Sequence, residues 1–427
     1  MHPCPFPNLK YHSNRLLFGS HFIDELVSKH QTPCYIYDID FVRHRYEKLF
    51  SSLPQHRSPL VCYAVKANPS LAILSTLARV GSGADVVSLG ELKTAIKAGI
   101  KPEKIVFSGV AKTFDEIVFA LQQQIFSCNV ESPGEITRIK SACGNLKTSA
   151  TLSLRLNPDI DAKTHPKIAT GLHATKFGLD LTLANELAST IRRDTSLQLK
   201  GVSIHIGSQM FDLSPLKEAI SKAVEFADHL RQQGHLIEFI DVGGGLGVAY
   251  RPEEIHCAPP LEEYGQLITT ALGKTTYKLV LEPGRALVAE AGILISKVIE
   301  VKKTGNKTFV MIDAGMNDLA RPSLYEAYHH ILPVWRDSPS EQLLSEVDVV
   351  GPVCETTDIF ASDRMLPPLQ EGHLVAITHA GAYGSSMAST YNQRPLACEL
   401  GLIEGEAKII RKRQQIDDLW RDQIYKF

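Results

Sequence analysis

Four stretches of this chain hold side chains whose types and spacing suit one piece of chemistry. They are "YAVKANPS" around Lys66, "HIGSQ" with His205 and Ser208, "DVGGGLG" with Gly243, Gly244 and Gly245, and "LEPGR" with Glu282, Pro283, Gly284 and Arg285. Lys66 follows the short apolar run "PLVCY" and precedes "LAILSTLARVG", which has helical periodicity and a closing glycine, so it stands at the C-terminal end of a strand. A lysine is costly to bury without a partner. It is therefore either a solvated or salt-bridged rim residue, or an amine kept for condensing with an aldehyde. The glycine run is either a tight turn or a set of exposed N–H groups that cradle a phosphate, with Ser208 as a second donor. Its spacing is not that of a dinucleotide site, because no acidic residue closes a following strand about 20 positions on. Glu282 is a poor neighbour for a phosphate but a good one for a protonated ring nitrogen. His205 is either a satisfied core histidine or a flat group that stacks on a ring. An amine for an aldehyde, a phosphate cradle, an acid for a pyridinium and a stacking partner together fit pyridoxal 5′-phosphate (PLP).

Residues so far apart in sequence need a rigid frame to meet. From "PLVCYAVKA" onward, strand-like runs alternate with helical patterns: "ADVVS" (84–88), "KIVFSG" (104–109), "FSCNVES" (126–132), "TLSLRLNP" (151–158), "KGVSIHIGS" (200–208), "EFIDVGGG" (238–245) and "YKLVLEPG" (277–284). Helix candidates such as Leu89–Lys97, Phe114–Gln122, Pro133–Ala142, Asp180–Arg192 and Leu216–Gln232 lie between them. Eight strands alternating with helices over about 240 residues match a (β/α)₈ TIM barrel. An open doubly wound sheet is the alternative, and it rarely needs eight parallel strands at so regular an interval. The strand ends carry Lys66, Asp85 and Ser88, Ser108, Asn129 and Glu131, Arg155 and Asn157, His205 and Ser208, the three glycines, and Glu282 with Arg285. Polar residues gathered at one end of apolar strands outline a pocket where barrel enzymes work.

After Gly292 the rhythm changes to short β-branched strands around "TGN", with "HLVAITHAGAYG" and "CELGLIEGEAKIIR" in the same style. Apart from a helical reading of "SMASTYNQ", this is a mostly antiparallel β domain, and "TPCYIYDID" has the strand character to join it. The expected division is a PLP-binding (β/α)₈ barrel over residues 40–290, with residues 1–39 plus 291–427 forming the β domain.

Composition sets bounds on partners. The chain has 427 residues, 44% hydrophobic and 22% charged, with a formal net charge of -2, so nothing in it favours nucleic acid or an anionic membrane. Eight cysteines are scattered without C-x-x-C pairs or metal-ligand spacing, which reads as reduced cytosolic thiols. There is no secretory apolar segment and no apolar stretch of about 18 residues. A cytoplasmic protein without a bound metal is expected. The first 12 residues and the charged stretch 411–427, which reads as an amphipathic solvated tail, suggest no role.

"YAVKAN", "HIGSQ", "DVGGGLG", "EPGR", "MNDLARPSLYEAYH", "GPVCETTD" and "HAGAYGSSM" occur in this order over nearly the whole chain. Together they resemble the PLP-dependent decarboxylases of alanine-racemase-like fold (fold type III), the ornithine/diaminopimelate/arginine decarboxylase family. The resemblance implies that Lys66 carries PLP, that His205 stacks on its ring, and that Glu282 pairs with the ring nitrogen. Ser208, Gly245, Gly284 and the hydroxyl of Tyr383 hold the phosphate, and Asp85, Gly243, Gly244, Pro283 and Arg285 complete the cofactor pocket. Arg285, Arg321 and Tyr325, with Tyr383 nearby, hold the carboxylate at the far end of the substrate, and Glu355 holds its ammonium. Cys354 is the proton donor that replaces CO₂ on Cα. The "GPVCE" segment enters the site of the other subunit, which makes a head-to-tail homodimer the active unit, and "HATKFG" (173–178) resembles the family's mobile loop.

Read alone, these residues have duller alternatives: Cys354 as a small buried hydrophobe, Arg321 as a turn cap, and Tyr325 packed beneath it at i+4. A substrate with two amino acid ends, however, needs bidentate carboxylate recognition and an ammonium acceptor, and Arg321 with Glu355 supply both. The resemblance therefore points to decarboxylation of meso-2,6-diaminopimelate at its D centre to give L-lysine. The alternative is another basic amino acid: D-lysine, D-ornithine, ornithine or arginine. Racemases of this fold place an arginine near the ring nitrogen, whereas Glu282 favours decarboxylation. A PLP-carrying homeostasis protein would be a bare barrel, without the second domain.

Overall fold

The computed structural model describes residues 6–162, 176–336 and 344–425. The first three residues of "HATKFG" lie outside them. The described chain forms two compact units: one is Arg43–Val248 with Cys257–Ala286, and the other takes the residues up to Val42, Ala249–His256, and those from Leu287 onward.

The first unit is a closed barrel. Its strands are β1 (Leu60–Ala64), β2 (Gly83–Val86), β3 (Ile105–Phe107), β4 (Ser127–Val130), β5 (Ala150–Leu156), β6 (Leu197–Ile204), β7 (Phe239–Asp241) and β8 (Lys278–Leu281). All neighbours pair in parallel, and β8 closes on β1. Such strands are covered on both faces, which is why "LVCYA" and "IVF" are apolar without alternation. Polar residues just beyond the strands start the helices by capping them. Ser88 accepts the Glu91 N–H at the head of α1 (Leu89–Lys97), Thr113 that of Glu116 for α2 (Phe114–Gln122), Ser132 that of Glu135 for α3 (Pro133–Leu146), and Asp180 that of Leu183 for α4 (Leu181–Arg192). Ser88, one of the polar strand-end residues, thus serves the frame.

The second unit is built on a nine-stranded sheet. Its path runs Ile359–Leu366, Ser345–Val350, Lys307–Ile312, Gly292–Thr304, Cys34–Asp38, Cys398–Ile403, Glu406–Arg411, while Ile331–Pro333 pairs with Leu374–Ile377, which pairs with Gly292–Thr304. Most pairs are antiparallel; Lys307–Ile312 with Ser345–Val350 and Cys34–Asp38 with Cys398–Ile403 are parallel. "CYIYD" joins inside the path, between Gly292–Thr304 and Cys398–Ile403. Leu9–Phe22 adds a three-stranded meander whose Leu9, Leu16 and Phe18 pack with Ile36, Ile293 and Ile295. "SMASTYNQ" is not one helix but two 3₁₀ turns, Ser385–Met387 and Tyr391–Gln393, with Asn392 at a positive φ of 55°. The 411–427 stretch begins as the end of a strand and is tied back by Arg413 Nη2, which donates to Pro33 O at 2.6 Å. Among the described residues no helix is long and apolar enough to cross a membrane, and no group of acidic, histidine and cysteine side chains suits a metal ion.

One ion pair inside the barrel unit was not legible in the sequence. Lys112 and Glu135 are both about 1% exposed at 2.6 Å. Lys112 Nζ also donates to Gly109 O (2.6 Å) and Asn129 O (2.8 Å), and Glu135 Oε2 accepts the Glu131 N–H at 3.0 Å. The knot ties the segments after β3 and β4 to α3. Removing one partner strands a buried charge, so Lys112→Met is expected to cost about 3–5 kcal/mol. A lowered urea midpoint at unchanged m-value checks this.

Candidate active site

The ends of the barrel strands bring the expected cofactor residues together. Lys66 lies in the 3₁₀ turn Val65–Ala67 directly after β1, and its Nζ donates to Asp85 Oδ2 at 2.7 Å. Asp85, near the end of β2, is fully buried, while the Lys66 side chain keeps 35% exposure. The salt-bridge reading of Lys66 is thus realised in the geometry, and it leaves the amine partly open. The turn after β8 is stitched to this place: Ala64 N–H donates to Pro283 O at 3.0 Å, and a Cβ on Gly284 would lie 3.1 Å from the methyl groups of Ala64 and Ala67.

Glu282, immediately after β8, sits in a network that the sequence reading outlined only in part. Its Oε1 accepts from Ser108 Oγ at 3.0 Å and from Asn129 Nδ2 at 3.3 Å. The same amide nitrogen lies 3.3 Å from Asp241 Oδ2, and Asp241 Oδ1 accepts the Gly243 N–H at 3.0 Å. Burial, then the charges of Asp241 and Asp85, hold the Glu282 carboxyl well above its ordinary range; burial also raises Asp241. Asp241 was missed as a site residue although it opens the quoted "DVGGGLG". The available signal was an acidic residue closing the apolar strand "FID".

The glycine turn is built for close approach. Gly243 and Gly245 have φ of +67° and +102°, and a Cβ would meet Ile204 O at 2.6 Å on the first and Gly207 O at 2.6 Å on the second. Gly244 N–H donates to His205 Nδ1 at 3.3 Å. Arg285 Nη2 lies 3.2 Å from Ser208 Oγ, which places a cation and a hydroxyl beside the turn. Arg155 Nη1 pairs with Glu131 Oε1 at 2.8 Å, and Glu131 Oε2 accepts the Gly178 N–H at 3.0 Å. Desolvation, then the positive charges of Arg155 and Lys66, push His205 well below the ordinary histidine value, so its ring is neutral. A partly open amine, a crowded acid, a neutral flat ring and a side-chain-free turn beside a hydroxyl and an arginine fit PLP.

The expected substrate residues lie in the second unit, apart from Arg285. Arg321 opens the five-residue helix Arg321–Tyr325 and is buried, with Tyr325 half-buried. Its Nη1 lies 2.9 Å from His329 Nε2. The loop of "GPVCETTD" folds on Asp358, whose Oδ2 accepts the Val353 N–H at 2.7 Å and whose Oδ1 accepts the Met316 N–H at 2.6 Å. Cys354 and Glu355 point outward from it. Cys354 is exposed, which removes its reading as a buried hydrophobe; its N–H donates to Asn392 Oδ1 at 2.8 Å, and Glu355 Oε2 accepts the Tyr391 hydroxyl at 2.9 Å. Tyr383 is half-buried and held at φ +56°. Tyr35 and Tyr37 on the central strand brace the neighbouring loops through Asp318 O (2.6 Å) and Ser385 Oγ (2.9 Å).

The state of His205 has a thermodynamic signature. Its pKa in the folded chain is depressed from 6.5, so the stability it contributes is fully present above that value and is lost as pH falls through the folded pKa. Below pH 6.5 the unfolded chain takes up a proton that the folded chain refuses. In urea titrations from neutral to acidic pH, His205→Gln is expected to remove a slope approaching about 1.4 kcal/mol per pH unit from the wild-type curve.

Residues 40–289 match the family model described as pyridoxal-dependent decarboxylase, pyridoxal binding domain. The chain is 42% identical over 411 residues to the diaminopimelate decarboxylase of Aquifex aeolicus, covering 96% of each chain. A crystal structure of diaminopimelate decarboxylase from Helicobacter pylori complexed with L-lysine is 47% identical and superposes with a TM-score of 0.88, over 93% of this chain and 98% of that one. The diaminopimelate decarboxylase of M. jannaschii in co-complex with L-lysine is 35% identical with a TM-score of 0.92, over 99% of both. With agreement along almost its whole length, the chain belongs to the pyridoxal-dependent ornithine, arginine and diaminopimelate decarboxylase family and is an enzyme that uses PLP.

Proposed function

We propose that this enzyme decarboxylates meso-2,6-diaminopimelate at its D centre and releases L-lysine, the last step of lysine synthesis, as a cytoplasmic head-to-tail homodimer. The observation that carries the reading is the 47% identity, over nearly the full length of both chains, with the Helicobacter pylori enzyme complexed with L-lysine. Bound PLP supplies an electron sink for the charge left on Cα when CO₂ departs. The chain's own residues do the rest. Lys66 anchors the cofactor through its amine and is oriented by Asp85. Glu282 would pair with the ring nitrogen, its carboxyl fixed by Asn129 and Ser108. His205 would stack on the ring and, being neutral, would not repel its protonated nitrogen. Ser208, Gly243, Gly244, Gly245 and Gly284, with Arg285 behind Ser208 and the hydroxyl of Tyr383, hold the phosphate.

Cys354 delivers a proton to Cα. It and Glu355 project from an ordered loop whose internal hydrogen bonds are made by Asp358, which supports a working position in the partner subunit's site. Arg321, Arg285 and Tyr325 take the carboxylate at the unreacting end, and Glu355 takes its ammonium. A substrate without that carboxylate forgoes its hydrogen bonds to the buried arginines, worth roughly 10²-fold or more in kcat/KM.

Lys66→Ala is expected to lose the visible absorbance of lysine-bound PLP and nearly all turnover. Cys354→Ala should keep the absorbance and lower kcat by about 10²-fold or more. Mixing the two inactive proteins should restore part of the activity, because a mixed dimer contains one complete site; no recovery after proven subunit exchange would rule out sharing.

Substrate choice is read by CO₂ release and product identification over meso-diaminopimelate, L- and D-lysine, L- and D-ornithine and L-arginine. L-lysine from the meso compound, with little turnover of the others, is the expected result. Preferred turnover of D-lysine or D-ornithine replaces it with the alternative. Arg321→Ala should raise KM for diaminopimelate sharply and leave the spectrum unchanged.

A further inference from the structure

The distal carboxylate assigned to Arg321 can be recognised through paired hydrogen bonds only if the guanidinium plane is set before the substrate arrives. Arg321 is buried, so its orientation is decided by its neighbours inside the second unit. Two of them hold it. His329 Nδ1 lies 2.8 Å from the carbonyl oxygen of Thr378, and Nε2 lies 2.9 Å from Arg321 Nη1. A carbonyl only accepts and a guanidinium only donates, so the ring carries its proton on Nδ1 and presents Nε2 as an acceptor. His329 is fully buried. The reversed tautomer would set two donors face to face at Arg321 and two acceptors face to face at Thr378.

The second neighbour is Tyr250, whose ring centroid lies 4.5 Å from the Arg321 guanidinium carbon. The ring also meets His329 edge-on, with centroids 5.4 Å apart and planes at 81°. Tyr250 belongs to Ala249–His256, a short piece between barrel elements in the chain that is part of the second unit. Stacking fixes the guanidinium plane and the histidine fixes its rotation within that plane.

We infer that His329, together with Tyr250, is a positioning residue that presets Arg321 for the carboxylate at the unreacting end of the substrate, and so helps decide which amino acids the enzyme accepts. The inference rests on the reading of Arg321 given above. His329→Phe keeps a ring against Tyr250 but offers no acceptor. His329→Gln keeps a carbonyl acceptor for Arg321 and an N–H donor for Thr378. Tyr250→Leu removes the stacking face and leaves the histidine in place.

The test uses PLP-loaded full-length enzyme, with meso-diaminopimelate as substrate and two competitive inhibitors. L-lysine retains the distal carboxylate, and 1,5-diaminopentane has none. His329→Phe and Tyr250→Leu are expected to raise KM for diaminopimelate and the inhibition constant of L-lysine about tenfold or more, with kcat within about twofold of wild type. The inhibition constant of 1,5-diaminopentane should not move, and His329→Gln should restore KM to near the wild-type value. If His329→Phe does not fold, Tyr250→Leu and His329→Gln decide the matter. Unchanged KM and L-lysine inhibition overturn the inference. So does equal weakening of both inhibitors, which marks general damage, or a glutamine variant as impaired as the phenylalanine one. If wild-type enzyme does not turn over diaminopimelate, the substrate reading itself fails and takes this inference with it; turnover with unmoved constants removes the inference alone.

Discussion

Three carboxyl groups, Asp85, Asp241 and Glu282, are buried at one end of the same barrel, and a site of low dielectric does not tolerate three neighbouring negative charges. Each acid is relieved differently. Asp85 receives Lys66, Asp241 receives the Gly243 N–H and the Asn129 amide, and the Glu282 carboxyl is held well above its ordinary range. An acid crowded by two others gains most from a cationic partner, and a pyridinium nitrogen is one. Nearby, burial and then the positive charges of Arg155 and Lys66 keep His205 neutral. Cofactor preference thus follows from one electrostatic constraint, shared by Asp85, Asp241 and Glu282.

Holding such a cluster requires more than strand ends. The turns beyond β1 and β8 are fastened by the Ala64–Pro283 hydrogen bond, those beyond β6 and β7 by Gly244 and His205, and those beyond β3 and β4 by the Lys112–Glu135 knot. These links use backbone groups that loops would otherwise leave to water. They turn loops into extensions of the barrel. The caps at Ser88, Thr113, Ser132 and Asp180 serve the same end from the helix side.

What could be read from the sequence were features with a local signature. Apolar runs bounded by helical periodicity gave the barrel, and Lys66, the glycine run and Glu282 stood out because each breaks an apolar pattern at a strand end. What escaped were pairings between distant residues. Asp241 has no local mark of its coupling to Glu282, 41 positions away in sequence, and Lys112 reads as an ordinary loop lysine until Glu135 is placed beside it. "SMASTYNQ" misled because helical spacing is shared by two successive tight turns, and Asn392 in the left-handed region breaks the continuity. The meander Leu9–Phe22 was invisible because its apolar residues are too few to show a period before their packing partners are known.

The two units differ in how they treat charge. In the barrel, ionisable groups are buried against one another, and their chemistry is set by mutual repulsion and a few donors. In the second unit, a histidine nitrogen and a tyrosine face are among the groups that hold the buried Arg321. Cys354 and Glu355 follow the opposite rule, standing exposed on a loop whose rigidity comes from Asp358. The barrel's chemistry thus rests on charges that constrain one another, and the second unit's candidate substrate groups on side chains set in place by a histidine, a tyrosine face and a braced loop.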